Sequence, residues 1–203
     1  YAFVNWTEDG VEVSASEVYP FTVNADRTLV ANFVQTYVIT TSASPSAGGS
    51  TSGDGTFNGG DSVTVTATAN AGYAFVNWTE GGAEVSASAS YTFTASADRV
   101  LVANFVPTYT ISTSASPDAG GSTGGDGTFN SGDSVTVTAT ANAGYAFVNW
   151  TEGGAEVSTL ASYTFTADAD RTLVANFVPT YTVSTSASPS GAGTTSGDGT
   201  FNS

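Results

Sequence analysis

The residues best placed to bind an ion are the acids and amides of a glycine-rich stretch that recurs along the chain. Its first copy has Asp54, Asn58 and Asp61, and oxygen ligands are the type that Ca²⁺ prefers. The counterparts are Asp126, Asn130 and Asp133, and then Asp198 and Asn202. The spacing and closing Glu of an EF-hand are missing, while Asp-Gly and Asn-Gly are ordinary turn formers. We favour a turn, with Ca²⁺ as the alternative, and expect no other cofactor.

Three asparagines stand in the pattern that accepts N-linked glycans. They are Asn5, Asn77 and Asn149, each followed by Trp and Thr. The middle Trp and a strand context favour a structural asparagine over a glycan acceptor. Ser- and Thr-rich loops are alternative sites for O-linked sugar.

Two further groups of side chains have chemistry that could be used. Alternating threonines could form a hydroxyl surface for ice or glycan contact, although a solvated strand face is the simpler interpretation; they are Thr64, Thr66, Thr68, Thr136, Thr138 and Thr140. The only cations are Arg27, Arg99 and Arg171, one per repeat. For each we predict a structural ion pair with a local acid or hydrogen bonds to loop carbonyls, with a contact between repeats as the alternative.

Composition excludes several classes of function. The chain has no Cys and no His, and all three of its basic residues are arginines, so disulfides, imidazole chemistry and lysine-based cross-links are unavailable. Paired acids such as Asp168 and Asp170 do not define a catalytic site, and we expect no enzyme activity. The net charge of -15 disfavours nucleic acid as a partner, and no apolar run is long enough to insert into a membrane.

These residues are positioned by a repeat of 72 residues. The octapeptide Tyr-Ala-Phe-Val-Asn-Trp-Thr-Glu occurs at 1–8, 73–80 and 145–152 and contains every tryptophan of the chain. We therefore predict four segments: the second half of a repeat at 1–34, complete repeats at 35–106 and 107–178, and the first part of a repeat at 179–203. Since the chain begins and ends within a repeat, we expect a processed chain or a piece of a longer one.

Alternation of apolar and polar residues predicts an all-β fold of small modules in a linear array. The clearest strand is 61–69, with its valines inward and its threonines outward. The octapeptide is expected to be a central strand with Phe75 and Trp78 on opposite faces, followed by a hairpin-like return to an aromatic strand at 90–94. Residues 100–106 are almost continuously apolar, which predicts a strand covered on both faces. Residues 83–86 are ambiguous between a strand and a helical turn.

The expected core consists of the aromatic residues that recur in register. It comprises Trp6, Trp78, Trp150, Tyr73, Phe75, Phe105, Tyr145, Phe147 and Phe177. Because there are no disulfides, burial of these rings and backbone pairing must stabilise each module.

The order of these elements resembles the divergent internalin-B B-repeat family. The resemblance rests on residues 72–78 (Gly-Tyr-Ala-Phe-Val-Asn-Trp) and 99–105 (Arg-Val-Leu-Val-Ala-Asn-Phe), repeated at 144–150 and 171–177. It implies β-grasp-like modules strung into stalks of extracellular microbial surface proteins, without enzyme activity.

We expect a structural protein that forms an extracellular stalk or filament. Its partners would be adjacent repeats or copies of itself, and the two part-repeats could complete each other head to tail by strand complementation. The alternative is an adhesin that recognises a glycan or a host protein, with several copies providing avidity. Exposed aromatic residues would favour the adhesin, and buried ones the stalk.

Overall fold

The computed structural model describes residues 1–203 and contains strands but no α-helix. It divides into two compact units, Tyr1–Val106 and Pro107–Ser203. The strands that begin in the first unit are β1 (Ala2–Glu8), β2 (Val11–Ser14), β3 (Val30–Val34), β4 (Thr36–Ser44), β5 (Gly49–Ser52), β6 (Gly55–Asn58), β7 (Ser62–Ala69), β8 (Tyr73–Glu80), β9 (Ala83–Ser86), β10 (Ser90–Thr94) and β11 (Arg99–Ser116). The chain is therefore an all-β protein built from tandem repeats.

The second unit repeats the same order of elements. A three-residue 3₁₀ turn, Asp118–Gly120, precedes its strands. These are β12 (Gly121–Gly124), β13 (Gly127–Asn130), β14 (Ser134–Ala141), β15 (Tyr145–Glu152), β16 (Ala155–Ser158), β17 (Ser162–Thr166), β18 (Arg171–Val183) and β19 (Gly199–Asn202). No helix has the length and hydropathy needed to cross a membrane.

Each complete repeat consists of two sheets. In the first unit, one sheet has the order β9-β8-β11-β4-β6 and the other the order β10-β7-β5. In the second unit, the corresponding orders are β16-β15-β18-β11-β13 and β12-β14-β17. Residues that alternate inward from both sheets form the core, because successive side chains of a strand point to opposite faces.

The core of each repeat is apolar throughout. In the first unit Val65, Trp78, Leu101 and Ala103 are fully buried, and Phe105 is nearly so. Val137, Trp150, Leu173, Ala175 and Phe177 occupy the same places in the second unit. The tyrosines and remaining phenylalanines of the expected core, Tyr73, Phe75, Tyr145 and Phe147, are partly buried against these clusters.

The first and last strands of a repeat are neighbours and run parallel. Arg99–Asn104 of β11 pair with Ile39–Ser44 of β4 in the first unit. In the second unit, Arg171–Asn176 of β18 pair with Ile111–Ser116 of β11. A repeat therefore becomes complete only when its two ends meet.

Several local predictions were wrong. Register shifts in β1 and β15 mark a bulge inside the octapeptide. Phe75 and Trp78 accordingly lie on the same side of β8, with ring centroids 6.1 Å apart, rather than on opposite faces. A bulge inserts one extra residue, which reverses the alternation beyond it.

The hairpin partner of the octapeptide also differs from the prediction. β8 pairs with β9, the segment whose structure the sequence left open, whereas β10 crosses to the second sheet and pairs with β7. On one face of the strand at 100–106, Leu101, Ala103 and Phe105 are buried. On the other face Val102 and Val106 are only partly buried, and Val100 is 63% exposed. The second face is therefore covered only in part.

Candidate functional site

The N-terminal part-repeat, residues 1–34, has an open face. Its single sheet has the order β2-β1-β3, so β3 lies at an edge. A cavity of about 560 Å³ opens beside this strand. It is lined by Tyr1, Ala2, Phe3, Trp6, Glu17, Ala31 and Phe33. An unpaired strand edge is a ready template for pairing with another strand.

Burial shows how incomplete this part-repeat is. Phe33 is 59% exposed, whereas its counterparts Phe105 and Phe177 are each 4% exposed. Trp6 is half-buried, while Trp78 is completely buried. The rings that form the core of a complete repeat are thus less buried in residues 1–34, where Trp6 is partly buried and Phe33 is exposed.

The C-terminal part-repeat has the opening strands of a repeat but no closing strand. The end of β18 pairs with β19 from Thr180↔Asn202 to Val183↔Gly199, the register that β4 and β6 adopt from Thr36↔Asn58 to Ile39↔Gly55. Val183 is nevertheless 46% exposed, whereas Ile39 is 1% exposed. The hairpin that opens a repeat is formed, but no closing strand lies beside it.

The three arginines form one arrangement in all copies. Arg99 donates to both carboxylate oxygens of Glu80, with an Nη2–Oε2 distance of 2.7 Å, and its Nη1 donates to the Tyr91 hydroxyl. Its guanidinium also lies 4.3 Å from the centroid of the Phe93 ring. Arg27 pairs in the same way with Glu8, and Arg171 with Glu152, at 2.6 Å in both cases.

These contacts lower the pKa of the glutamate and raise the pKa of the arginine. The hydrogen bond from Arg99 lowers the pKa of Glu80 below its ordinary value, with a smaller contribution from the charge of the arginine. The same hydrogen bond raises the pKa of Arg99. The pair therefore stays ionised over a wide pH range and connects the end of β8 to the start of β11.

The acid before each arginine has a role that the sequence did not reveal. Asp98 Oδ1 accepts a hydrogen bond of 2.8 Å from the backbone N–H of Val38, and Asp170 Oδ1 accepts one of 2.7 Å from Thr110. Each bond joins residues 60 positions apart and connects the two ends of one repeat. The recurrence of Asp-Arg before every closing strand, including Asp26-Arg27, was the available signal.

The glycine-rich stretch forms turns around its acids. Asp61 accepts a hydrogen bond of 2.9 Å from the Asn58 backbone N–H, and Asp54 accepts one from the Thr41 hydroxyl. Asp133 and Asn130 repeat the first contact at the same distance. No group of three or more acids is close enough to hold a metal ion. Calcium binding here stays a prediction, which isothermal titration with Ca²⁺ tests.

The candidate glycan acceptors lie in a network of side chains. Asn77 Nδ2 donates to Glu84 at 2.7 Å, and its Oδ1 accepts from Asn104 at 2.8 Å. Asn5 and Asn149 donate to Glu12 and Glu156 in the same way, each at 2.6 Å. The nitrogen that a glycan would modify thus already has a partner, and an intact-mass measurement tests the modification.

The alternating threonines lie on the outer face of the smaller sheet of each repeat. Thr64 and Thr92 form a cross-strand hydrogen bond of 2.8 Å between their hydroxyls, as do Thr136 and Thr164. Thr64 and Thr136 are also exposed. Contact with ice or glycan through this face stays a prediction.

Comparison with known proteins agrees with the repeat architecture. The family model of the divergent InlB B-repeat domain matches three times, at residues 1–36, 39–108 and 111–180. No curated protein and no solved structure gives a significant match. Because these three matches extend over most of the sequence, the chain belongs to the divergent InlB B-repeat domain family.

Proposed function

We propose that this chain is a structural element of an extracellular stalk or filament, in which the repeats follow one another as spacer modules. Repeats of this family are associated with surface proteins. The observation that supports a stalk is the closed core of the complete repeats. Trp78 and Trp150 are fully buried, and Phe105 and Phe177 are each 4% exposed.

The complete repeats have the properties that a spacer module needs. Their exposed large apolar residues are all aliphatic, namely Val38, Val76, Val100, Val148 and Leu160, while their tryptophans are fully buried. Recognition surfaces are usually rich in exposed Tyr and Trp. This distribution favours a stalk over an adhesin that binds through the complete repeats.

The module is held together in a way suited to a protein without disulfides or lysine-based cross-links. The Arg99–Glu80 pair joins β11 to β8, and the Asp98 carboxylate joins it to β4. These contacts fix the closing strand both to the middle strand β8 and to the opening strand of its repeat. The net charge of -15 would keep neighbouring stalks soluble and apart. The proposal assigns the chain no enzyme activity and no cofactor.

Negative-stain electron microscopy of the native material tests this function. A compact module of this size is about 30 Å across, so we expect beaded fibres with a repeat near that value and a length far beyond that of one chain. Short separate rods would overturn the filament proposal. In that case glycan-array binding, with a complete repeat as probe, would test the adhesin.

A further inference from the structure

The opening and closing strands of each complete repeat lie side by side and run in the same direction. In the first unit, six residues of one strand pair with six of the other, from Arg99↔Ile39 to Asn104↔Ser44. The second unit has the same register, from Arg171↔Ile111 to Asn176↔Ser116. The chain therefore enters a repeat at one end of this strand pair and leaves it at the other end.

This arrangement decides how a repeat responds to tension along the chain. Tension draws the opening strand backward from its first residue and the closing strand forward from its last residue. The two forces are opposite and lie along the strands, so they shear the ladder between them. The hydrogen bonds of a parallel ladder are evenly spaced, and all of them share the load. A pair of strands pulled apart at one end instead loses its bonds one after another.

We propose that each complete repeat is a mechanical clamp, in which the parallel pair of opening and closing strands carries tension applied along the chain. The load-bearing segments are residues 39–44 with 99–104 in the first unit and residues 111–116 with 171–176 in the second. A spacer needs only length, whereas a clamp keeps that length under load, so this role goes beyond that of a spacer.

The closing strand is held by two neighbouring strands and by the core. In the first unit β11 lies between β8 and β4. Its inward side chains Leu101 and Ala103 are fully buried, and Phe105 is 4% exposed. Extraction of this strand would break two ladders and open the centre of the core. The path of least resistance under tension is therefore shear between β11 and β4.

A side chain adds a further bond to this interface. Asp98 Oδ1 accepts a hydrogen bond of 2.8 Å from the backbone N–H of Val38, one position before the Arg99↔Ile39 pair. The bond extends the ladder at the end where tension reaches the opening strand. Because backbone N–H groups alternate in direction along a strand, those of Thr40 and Ser42 point toward β11 as well.

Single-molecule force spectroscopy of the full chain tests the clamp. The chain has no cysteine, so two added thiols define where it is pulled. Gln35→Cys with Pro107→Cys places the handles at opposite ends of the strand pair and loads it in shear. The matched control combines Ser46→Cys with Pro107→Cys, which places both handles at the same end and peels the strands apart. All three positions are exposed.

We expect the shear pair to unfold at a several-fold higher force than the peeling pair at the same loading rate. The ladder and the core are the same in both chains, so the difference reports the direction of the load. Positions 35 and 107 are 72 residues apart, and an extended chain of that length spans roughly 240–260 Å, which identifies the event. Equal forces in the two geometries would overturn the clamp.

A proline in the ladder tests which bonds carry the load. Ser42→Pro removes an N–H that points to β11, at an exposed position of the opening strand. In the chain pulled at 35 and 107, it should lower the unfolding force toward that of the peeling pair. The control is Ser114→Pro, the counterpart in the other repeat and outside the loaded segment, which should leave this force unchanged. An unchanged force in a folded Ser42→Pro chain would contradict a load carried by the ladder. The comparison of pulling directions keeps the natural ladder and decides the matter if this variant does not fold.

The outcomes separate the clamp from the proposed function. Equal forces in shear and in peeling would overturn the clamp and leave the stalk standing. Short separate rods in electron microscopy would overturn the stalk, while a high shear force would still support the clamp.

Discussion

The same eight residues occupy two different environments in this protein. Tyr1–Glu8 and Tyr73–Glu80 are identical in sequence, and their aromatic rings adopt nearly the same geometry. The Phe3–Trp6 and Phe75–Trp78 centroid distances are 6.0 and 6.1 Å. Yet Trp78 is completely buried and Trp6 is only half-buried. Ring geometry is therefore set within one sheet, whereas burial depends on the second sheet, which the N-terminal part-repeat lacks.

The arginine–glutamate ion pairs form both in the N-terminal part-repeat and in a complete repeat. Arg27 contacts Glu8 at 2.6 Å and Arg99 contacts Glu80 at 2.7 Å, although only the second pair belongs to a complete repeat. The partners of each pair are 19 residues apart. A contact of this range forms without the opening strand. Contacts between the first and last strands require a whole repeat.

Among the tests of this comparison, removal of the tryptophan should have the largest effect. Trp78→Ala and Trp150→Ala should each lower the free energy of unfolding by about 3–5 kcal/mol, because a large buried side chain leaves a cavity. Trp6→Ala should cost less than half of that value, since Trp6 already borders open space. Guanidinium unfolding followed by far-UV circular dichroism measures all three variants. Equal losses would show that the part-repeat is as tightly packed as a complete one.

A glycine pair provides the next test. A Cβ at Gly49 would lie 2.4 Å from the carbonyl oxygen of Thr68, whereas a Cβ at Gly193 would meet nothing within 4 Å. Gly49→Ala should therefore cost about 1–3 kcal/mol through overpacking. Gly193→Ala should leave the melting temperature unchanged in dilute, unassembled chain. Calorimetry of the two variants compares the same position in a closed and in an open repeat.

The arginine contacts should have a smaller effect. We expect Arg99→Ala to lower the free energy of unfolding by about 1–2 kcal/mol, because charge-assisted hydrogen bonds and ring contacts are lost at a partly exposed site. Arg171→Ala should lower the free energy of unfolding of the second unit by a similar amount. Arg27→Ala should change the unfolding of the complete repeats by a smaller amount. A chain whose melting temperature is unaffected by Arg99→Ala would contradict a structural role for this pair.

Acidification should weaken the same pairs gradually. The pKa values of Glu80 and Glu152 lie below the ordinary value of 4.5, mainly because each accepts hydrogen bonds from its arginine. Their contribution is therefore fully present above about pH 4.5 and is lost as the pH falls through the lower folded-state pKa. The difference in melting temperature between the natural chain and Glu80→Gln should shrink over this window. A difference that persists unchanged at pH 2.5 would contradict this linkage.

Much of the repeat could be predicted from its residues, but not how its strands pair. Alternation in residues 61–69 predicted β7, and Val63 and Val65 are indeed buried on one face. The bulge in the octapeptide escaped prediction because it has no glycine or proline to mark it. The partners of β8 and β10 could not be inferred either. The alternation of residues in two strands that are close in sequence is the same whether the strands pair with each other or lie in different sheets.

The sequence predicted that the candidate site lies in an incomplete repeat, but not which of its surfaces are exposed. The period alone showed that residues 1–34 and residues 179–203 each match part of a repeat. The free edge of β3, the cavity beside Trp6 and the exposed carboxylate of Asp26 emerged only from the arrangement of strands. Asp98 illustrates the reason, because its partner Val38 is 60 residues away and nothing in the local sequence points to it.

The sequence by itself determined the period, the all-β character, the absence of disulfides and lysine-based cross-links, and the membership of the recurring aromatic set. These properties follow from composition and from alternation along single strands. Tertiary structure alone decided which strands share a sheet, which face of β11 is covered and which edge remains open. The open edge, for example, depends on pairing between the first and last strands of a repeat. Those two strands are far apart in sequence, so no periodic pattern of residues predicts their contact. The contact forms only when the whole repeat is present.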